Sequence, residues 1–186
     1  MRKVFVITGA AGTGKTSVAK WLHKKYGLEK VVTHTTRTPR HGERDGVDYY
    51  FETPESMQRL HLLEKVQYDG HTYGSSKEAL QEVWDRGKDA VIVLDTAGAI
   101  TYQQQLGQQV QVIFLTVSHQ RTLSRRLTGR GDLKQAIKSR LHSREYQRDL
   151  VLPEPLKGQA AVIVNDRWKD TIAKLDRLMQ QSIAEE

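Results

Sequence analysis

Gly9-Ala10-Ala11-Gly12-Thr13-Gly14-Lys15-Thr16 is a run that fits the pattern G-x-x-x-x-G-K-[ST]. Glycines in such a run let backbone N–H groups wrap phosphate at the N-terminus of a helix, where the dipole favours negative charge. The lysine of the pattern reaches the β and γ phosphates of a nucleotide, and the hydroxyl after it ligates Mg²⁺. Lys15 is therefore a candidate catalytic residue and Thr16 a candidate metal ligand. The flanks agree with this reading: Lys3 to Thr8 is a short β-branched run, and Ser17 to Tyr26 places Val18, Ala19, Trp21 and Leu22 on one helix face. An ordinary glycine-rich turn is the bland alternative, and the strand before and helix after the loop count against it.

Val91-Ile92-Val93-Leu94-Asp95 puts a carboxylate at the C-terminal end of a buried strand. Ligands bind at that edge of open parallel sheets, and an Asp there can hold Mg²⁺ or its waters. A helix cap is the alternative. Asp95-Thr96-Ala97-Gly98 also matches the D-x-x-G switch of small GTPases, but the base-reading N-K-x-D motif is missing, since Asn165 is followed by Asp166-Arg167-Trp168.

Arginine is clustered: Arg37, Arg40 and Arg44 lie together, and Arg121, Arg125, Arg126, Arg130, Arg140, Arg144 and Arg148 crowd a later segment. The guanidinium fork matches phosphate oxygens, although Arg140, Arg144 and Arg148 at fourfold spacing also suit a solvated helix face. With 29 Lys and Arg against 22 Asp and Glu, the net charge of +7 attracts anions such as nucleotides, phosphorylated metabolites or nucleic acid. No recognised nucleic-acid motif or interleaved aromatic platform accompanies the basic segments, so nucleic acid is not an expected partner. The histidines, including His34, His41, His61, His71 and His119, show no paired spacing with acids and read as surface or loop residues.

To position these groups the chain has 186 residues, enough for one domain with a sizeable core. It has no Cys, which excludes disulfides and thiolate chemistry and fits a cytoplasmic setting. No apolar run approaches the roughly 20 residues of a membrane span, so no membrane partner is expected. Met1-Arg2-Lys3 and the four apolar residues after it are too short for a signal peptide.

Val31 and Val32 open a second strand, Arg37 to Val47 is a polar loop, and Asp48 to Phe51 resumes as strand. Thr53-Pro54-Glu55 starts a helix, Val66 to Tyr73 reads as a hairpin around Asp69-Gly70, and Ser75-x-x-Glu78 is a capping box for a helix stopping before Gly87. Ala90 to Leu94 and Val110 to Val117 are strands. Ser118 caps a helix ending at Gly129, Leu133 to Asp149 is helical, and Ala161 to Val164 is the last strand. Trp168, Ile172, Leu175 and Met179 stripe the final helix. This alternation predicts an α/β fold with a three-layer P-loop core around a parallel sheet, interrupted by a small antiparallel insertion and an Arg-rich helical lid that flank a ligand cleft. The core covers 1–32, 78–124 and 156–186, the insertion 33–77, and the lid 125–155.

Thr35-Thr36-Arg37-Thr38-Pro39-Arg40-His41-Gly42-Glu43-Arg44-Asp45-Gly46-Val47-Asp48-Tyr49-Tyr50-Phe51 closely resembles the GMP-binding signature of guanylate kinases. Tyr73-Gly74-Ser75-Ser76-Lys77, Arg126-Leu127-Thr128-Gly129-Arg130-Gly131 and Val162-Ile163-Val164-Asn165-Asp166 recur in that family's order and approximate spacing, so the likeness covers nearly the whole chain. The resemblance implies a nucleoside monophosphate kinase converting ATP and GMP, or dGMP, to the diphosphates with Mg²⁺, as either a monomer or a homodimer. ATP would bind along Gly9, Ala10, Ala11, Gly12, Thr13, Gly14, Lys15, Thr16 and Ser17, with Arg130 and Asn165 on the adenine side. Arg37, Arg40, Tyr49 and Tyr73 match the ligands of the GMP phosphate, and Thr33, Glu64 and Ser75 match the guanine readers. Arg126, Arg130 and Arg140 match lid residues acting on the transferring phosphates, and with Lys15, Arg37, Arg40 and Asp95 they make up the expected catalytic set. The family usually has D-x-D after the core strand; here Asp95 keeps the first acid and Ala97 replaces the second. Lys65 replaces a common Trp, and Thr33 stands where Ser is common. The alternatives are a kinase with another acceptor and a non-catalytic nucleotide-binding or scaffolding module; such modules tend to lose the phosphate loop, which is intact here.

Overall fold

Val4–Thr8 (β1) is buried along its whole length, as a strand covered on both faces must be. In the computed structural model, which describes residues 1–39, 41–68, 70–128, 138 and 141–184, it is the middle strand of a five-stranded sheet. Glu29–Lys30 (β2), Ala90–Val93 (β7), Val110–Thr116 (β8) and Ala160–Val164 (β9) complete it in the order β2-β7-β1-β8-β9, every pair parallel. Alternation along β1 sends Val4 and Val6 to one face and Phe5 and Ile7 to the other. The first pair packs with Leu80 and Val83 of Lys77–Asp85 (α3) and with Ala99 and Tyr102 of Thr96–Leu106 (α4). The second pair packs with Val18 and Leu22 of Lys15–Tyr26 (α1) and with Leu175 and Met179 of Trp168–Ala184 (α7). Helices therefore cover both faces, and the three-layer α/β core expected from the sequence is present.

His34–Thr35 (β3), Tyr50–Phe51 (β4), Leu62–Tyr68 (β5) and His71–Ser76 (β6) form a second sheet in the order β4-β3-β6-β5. The β5–β6 hairpin is antiparallel, but β3 pairs with β4 in parallel, so this sheet is mixed where the sequence suggests an antiparallel one. The chain between β3 and β4 is long enough to return to the same end. Pro54–Met57 (α2) lies between β4 and β5, with Thr53 and Ser56 capping each other's backbone N–H groups. No helix among the described residues is long and apolar enough to cross a membrane.

Several local expectations need correction. Val31 and Val32 lie between β2 and β3 rather than in a strand. The cap of α3 is Ser76, which accepts from the Ala79 N–H; Ser75, one residue earlier, is fully buried and serves elsewhere. Arg121–Thr128 (α5) begins three residues after Ser118, whose N–H is taken by Asp166, so Ser118 is not its cap. Of the helix expected over Leu133 to Asp149, residues 133–137 and 139–140, with Arg140 of the arginine stripe, lie outside the described residues; its last part is a separate start, Arg144–Asp149 (α6), capped by Ser143, which accepts from the Tyr146 N–H. His34 is not a surface residue. It is 5% exposed, held between Glu52 at 2.8 Å and Ser76 at 2.8 Å.

Candidate active site

β1 ends at Thr8 and α1 begins at Lys15, so the glycine-rich run is the turn between them, with Gly14 as the helix cap at φ +98°. Gly9 shows why glycine is required: at φ +122°, a Cβ would sit 2.2 Å from the Leu115 carbonyl oxygen. No side chain caps α1 and no acid occupies its first turn, which leaves its N-terminal dipole to an external anion. Lys15 Nζ donates to the Gly9 and Ala10 carbonyls at 2.5 and 3.0 Å, folded over the loop it would leave to meet phosphate.

The loop is braced from outside. Asn165 is buried, its amide donating to the Thr13 carbonyl at 2.8 Å and accepting from Thr171 Oγ1 at 2.8 Å. Arg126 donates to the Asn165 carbonyl at 2.8 Å and reaches the Gly12 carbonyl at 3.5 Å. Ala10 packs with Leu123 and Tyr146, tying α5 and α6 to the loop.

Asp95 follows β7 and plays the capping role as well as lining the cleft. Its Oδ1 accepts from the Gly98 N–H at 2.7 Å, and its Oδ2 accepts from Arg148 at 2.7 Å. Asp149 is buried and accepts from Thr96 Oγ1 at 2.6 Å, the Thr96 N–H at 3.2 Å and Arg148 Nε at 3.0 Å. Arg148 and Asp149 thus fasten α6 to the first turn of α4, a link the sequence reading did not find because the partners lie 53 residues apart. Replacing Asp149 by Ala would leave the Thr96 donors and part of Arg148 unpaired. We expect that change to lower unfolding stability by about 2–4 kcal/mol, measured by urea unfolding, with a loss under about 0.5 kcal/mol contradicting the assignment.

The second sheet supplies the opposite wall. Arg37 makes a two-point pair with Glu43 at 2.9 and 3.0 Å, lies over the Tyr49 ring with 5.5 Å to its centroid, and has a buried Nε without an acceptor. Tyr49 and Tyr73 meet edge to face at 6.2 Å between centroids. With Thr33, Glu64, Asp95 and Glu145 they line a pocket of about 340 Å³. Ala97 is exposed in the first turn of α4. Ser75 lies behind Glu64 as its cross-strand partner and accepts from the Tyr102 hydroxyl at 2.8 Å. Burial pushes the Glu64 carboxyl up to about 7; the Ser75 hydroxyl pulls it down, nearby Asp95 raises it, and the Ser75 N–H lowers it.

Beside this pocket is another of about 310 Å³, bounded by Ala11, Lys15, Asp95, Glu145 and Asp149. Thr16 opens onto a cleft of about 620 Å³ that also reaches Thr33 and Tyr49. Among the described residues no group of three or more His, Cys, Asp or Glu is gathered to cage a cation. The Thr16 hydroxyl and the Asp95 carboxylate, both on the cleft, are oxygen donors of the kind Mg²⁺ takes when it binds through one or two protein oxygens, waters and substrate phosphates. Arg40, Arg130 and Arg140 lie outside the described residues. The structure brings together Lys15, Thr16, Thr33, Tyr49, Glu64, Tyr73 and Asp95 around connected space, adds Glu43, Glu145 and Asp149 to its lining, and sets Arg148 and Tyr102 behind it on Asp95 and Ser75.

Comparison with known proteins agrees with this architecture. The sequence model described as guanylate kinase matches residues 1–182. A guanylate kinase from Chlamydia abortus is 35% identical over 176 residues, covering 88% of this chain and 80% of that protein. One from Schizosaccharomyces pombe is 34% identical over 183 residues, covering 95% and 89%. In fold, the crystal structure of guanylate kinase from Anaplasma phagocytophilum superposes with a TM-score of 0.68 at 24% identity, over 97% of this chain and 86% of that one. With the family model matched over residues 1–182 and relatives above 30% identity spanning most of its length, the chain belongs to the guanylate kinase family.

Proposed function

We propose that this chain transfers the γ-phosphoryl group of ATP to GMP, or dGMP, in the cytoplasm. One observation carries the reading: Asp95 and Glu145 line both the pocket bounded by Lys15 and the pocket bounded by Glu64, so donor phosphates and a base-reading carboxylate would face a common space.

In this proposal Gly9 to Ser17 hold the ATP phosphates on backbone N–H groups, and Lys15 moves from the loop carbonyls onto the β and γ oxygens. Arg37 and Arg40, with the Tyr49 and Tyr73 hydroxyls, fix the acceptor phosphate in line. The unpaired Arg37 Nε supports that role. Thr33 and Glu64 read guanine. An ionised Glu accepts both N1–H and the 2-amino group, a donor pair that adenine lacks. Arg126, Arg130 and Arg140 spread the charge of the transferring group as the lid excludes water. Thr16, with Asp95 through water, would hold Mg²⁺, which neutralises phosphate charge when bound.

The test is ADP release measured with Mg-ATP against GMP, dGMP, AMP, CMP and UMP. Turnover with GMP at least about 100-fold more efficient than with AMP is expected, from two charge-assisted hydrogen bonds present for one base and absent for the other. Equal turnover of all acceptors, or none with GMP, would reject it.

A further inference from the structure

Tyr102 has no place in the motifs that align this chain with its family, yet its hydroxyl ends inside the acceptor wall. The ring is fully buried against the face of the sheet that α4 covers. Its O–H donates to Ser75 Oγ at 2.8 Å, and Ser75 sits directly across the β5–β6 ladder from Glu64. A hydroxyl that accepts a hydrogen bond on one side is free to rotate its own hydrogen to the other. Glu64 is the residue across the ladder, and a Ser75 hydroxyl turned to it holds its carboxyl down.

We propose that Tyr102 is a positioning residue for base recognition: it fixes the Ser75 hydroxyl as a donor to Glu64, which keeps Glu64 a pure acceptor whose remaining lone pairs face the substrate base. The inference rests on the guanine-reading role of Glu64 proposed above. The order of the chain, Tyr102 to Ser75 to Glu64, follows from its ends: an ionised Glu64 can only accept, so Ser75 donates to it and accepts from Tyr102, whose hydroxyl burial keeps protonated.

The surroundings make such a device useful. Asp95 at the start of α4 and Glu145 on α6 share the pocket with Glu64, together with Tyr49 and Tyr73. Lys65 lies with Glu64 along the outer groove of the hairpin, and Arg148 is engaged by Asp95 and Asp149. Burial and then the charge of Asp95 favour protonation of Glu64, and a protonated Glu presents a donor to a base that also offers donors. Ser75 opposes that outcome, and it can do so steadily only if its hydrogen does not turn elsewhere.

Tyr102→Phe keeps the ring and removes the hydroxyl. The Glu64 carboxyl can be followed by carbon-13 NMR across pH, with Glu64→Gln assigning the signal. Its titration midpoint is expected to move to higher pH in Tyr102→Phe. At pH 7 the KM for GMP should rise about 3- to 10-fold, the worth of one hydrogen bond, with the KM for ATP unchanged and the gap closing towards about pH 9. Ser75→Ala, which breaks the same link from its other end, should shift the midpoint the same way, and the double variant should add little to either. A Glu64 midpoint unchanged in both single variants overturns the inference, as does a parallel loss of ATP and GMP parameters with no change in pH profile. Wild-type protein that fails to phosphorylate GMP would instead reject the proposed function, and the carboxyl titration would still decide the role of Tyr102.

Discussion

Lys15→Ala is expected to reduce phosphoryl transfer by about 10³-fold or more while the protein stays folded. The ammonium is the one side-chain charge of the phosphate loop, and losing it removes several kcal/mol of transition-state stabilisation on the order expected for a preorganised electrostatic contact. The structure also says what the fold would lose. Lys15 Nζ donates to the Gly9 and Ala10 carbonyls, so the variant gives up two partly buried hydrogen bonds, at a cost of about 1–3 kcal/mol. Asn165 and Arg126 still hold the Thr13, Asn165 and Gly12 carbonyls, which should keep the loop in shape. The check is kcat in the ADP-release assay alongside a thermal melt. Turnover near wild type would sink the kinase reading, whereas lost turnover together with a collapsed melt would mean that Lys15 acts on the loop rather than on phosphate.

The phosphate loop could be read in the sequence because everything that makes it is local: glycines at the places where φ is positive, a lysine at the first residue of α1, and a strand directly before. The same holds for Thr53 at the start of α2 and for the hairpin, whose Gly70 has φ +74°. Neighbouring residues of one type compete for the same role. Ser75 and Ser76 both satisfy a capping pattern, and strand alternation decides between them: one faces α3 and the other Glu64. Val31 and Val32 have strand propensity, yet the edge strand β2 ends at Lys30 because its pairing with β7 runs out there. The far wall of the cleft is the part least legible in the sequence. Asp95 and Arg148, Thr96 and Asp149, and Tyr102 and Ser75 are pairs separated by 53, 53 and 27 residues, and no spacing rule joins them. Asp95 also shows that a cap and a site residue are not exclusive readings, since one carboxylate oxygen closes α4 and the residue still lines both pockets.

Glu64→Gln should lower discrimination between GMP and AMP by roughly 10- to 100-fold, because a charge-assisted acceptor is worth about 1.5–3 kcal/mol and the amide turns one acceptor into a donor facing the donors of guanine. The raised carboxyl adds two pH signatures. The free protein must lose the Glu64 proton, held at about 7, before the side chain can accept from N1–H and the 2-amino group. GMP affinity should therefore be flat above that pH and fall about tenfold per unit below it, and the Gln variant should lack this dependence. Stability runs the other way. A carboxyl raised from 4.5 to about 7 on folding contributes stability fully present below 4.5 and lost as pH rises through 7. Near pH 8 the neutral Gln should then be more stable than the ionised Glu by about 1–3 kcal/mol, a gap that closes as pH falls towards 4.5. Calorimetric GMP titrations and thermal melts of both proteins at three pH values measure both effects. A variant that keeps GMP selectivity would move base reading to another residue. One that loses selectivity without gaining stability at high pH would place the Glu64 carboxylate in water rather than in the partly buried wall that the structure assigns to it.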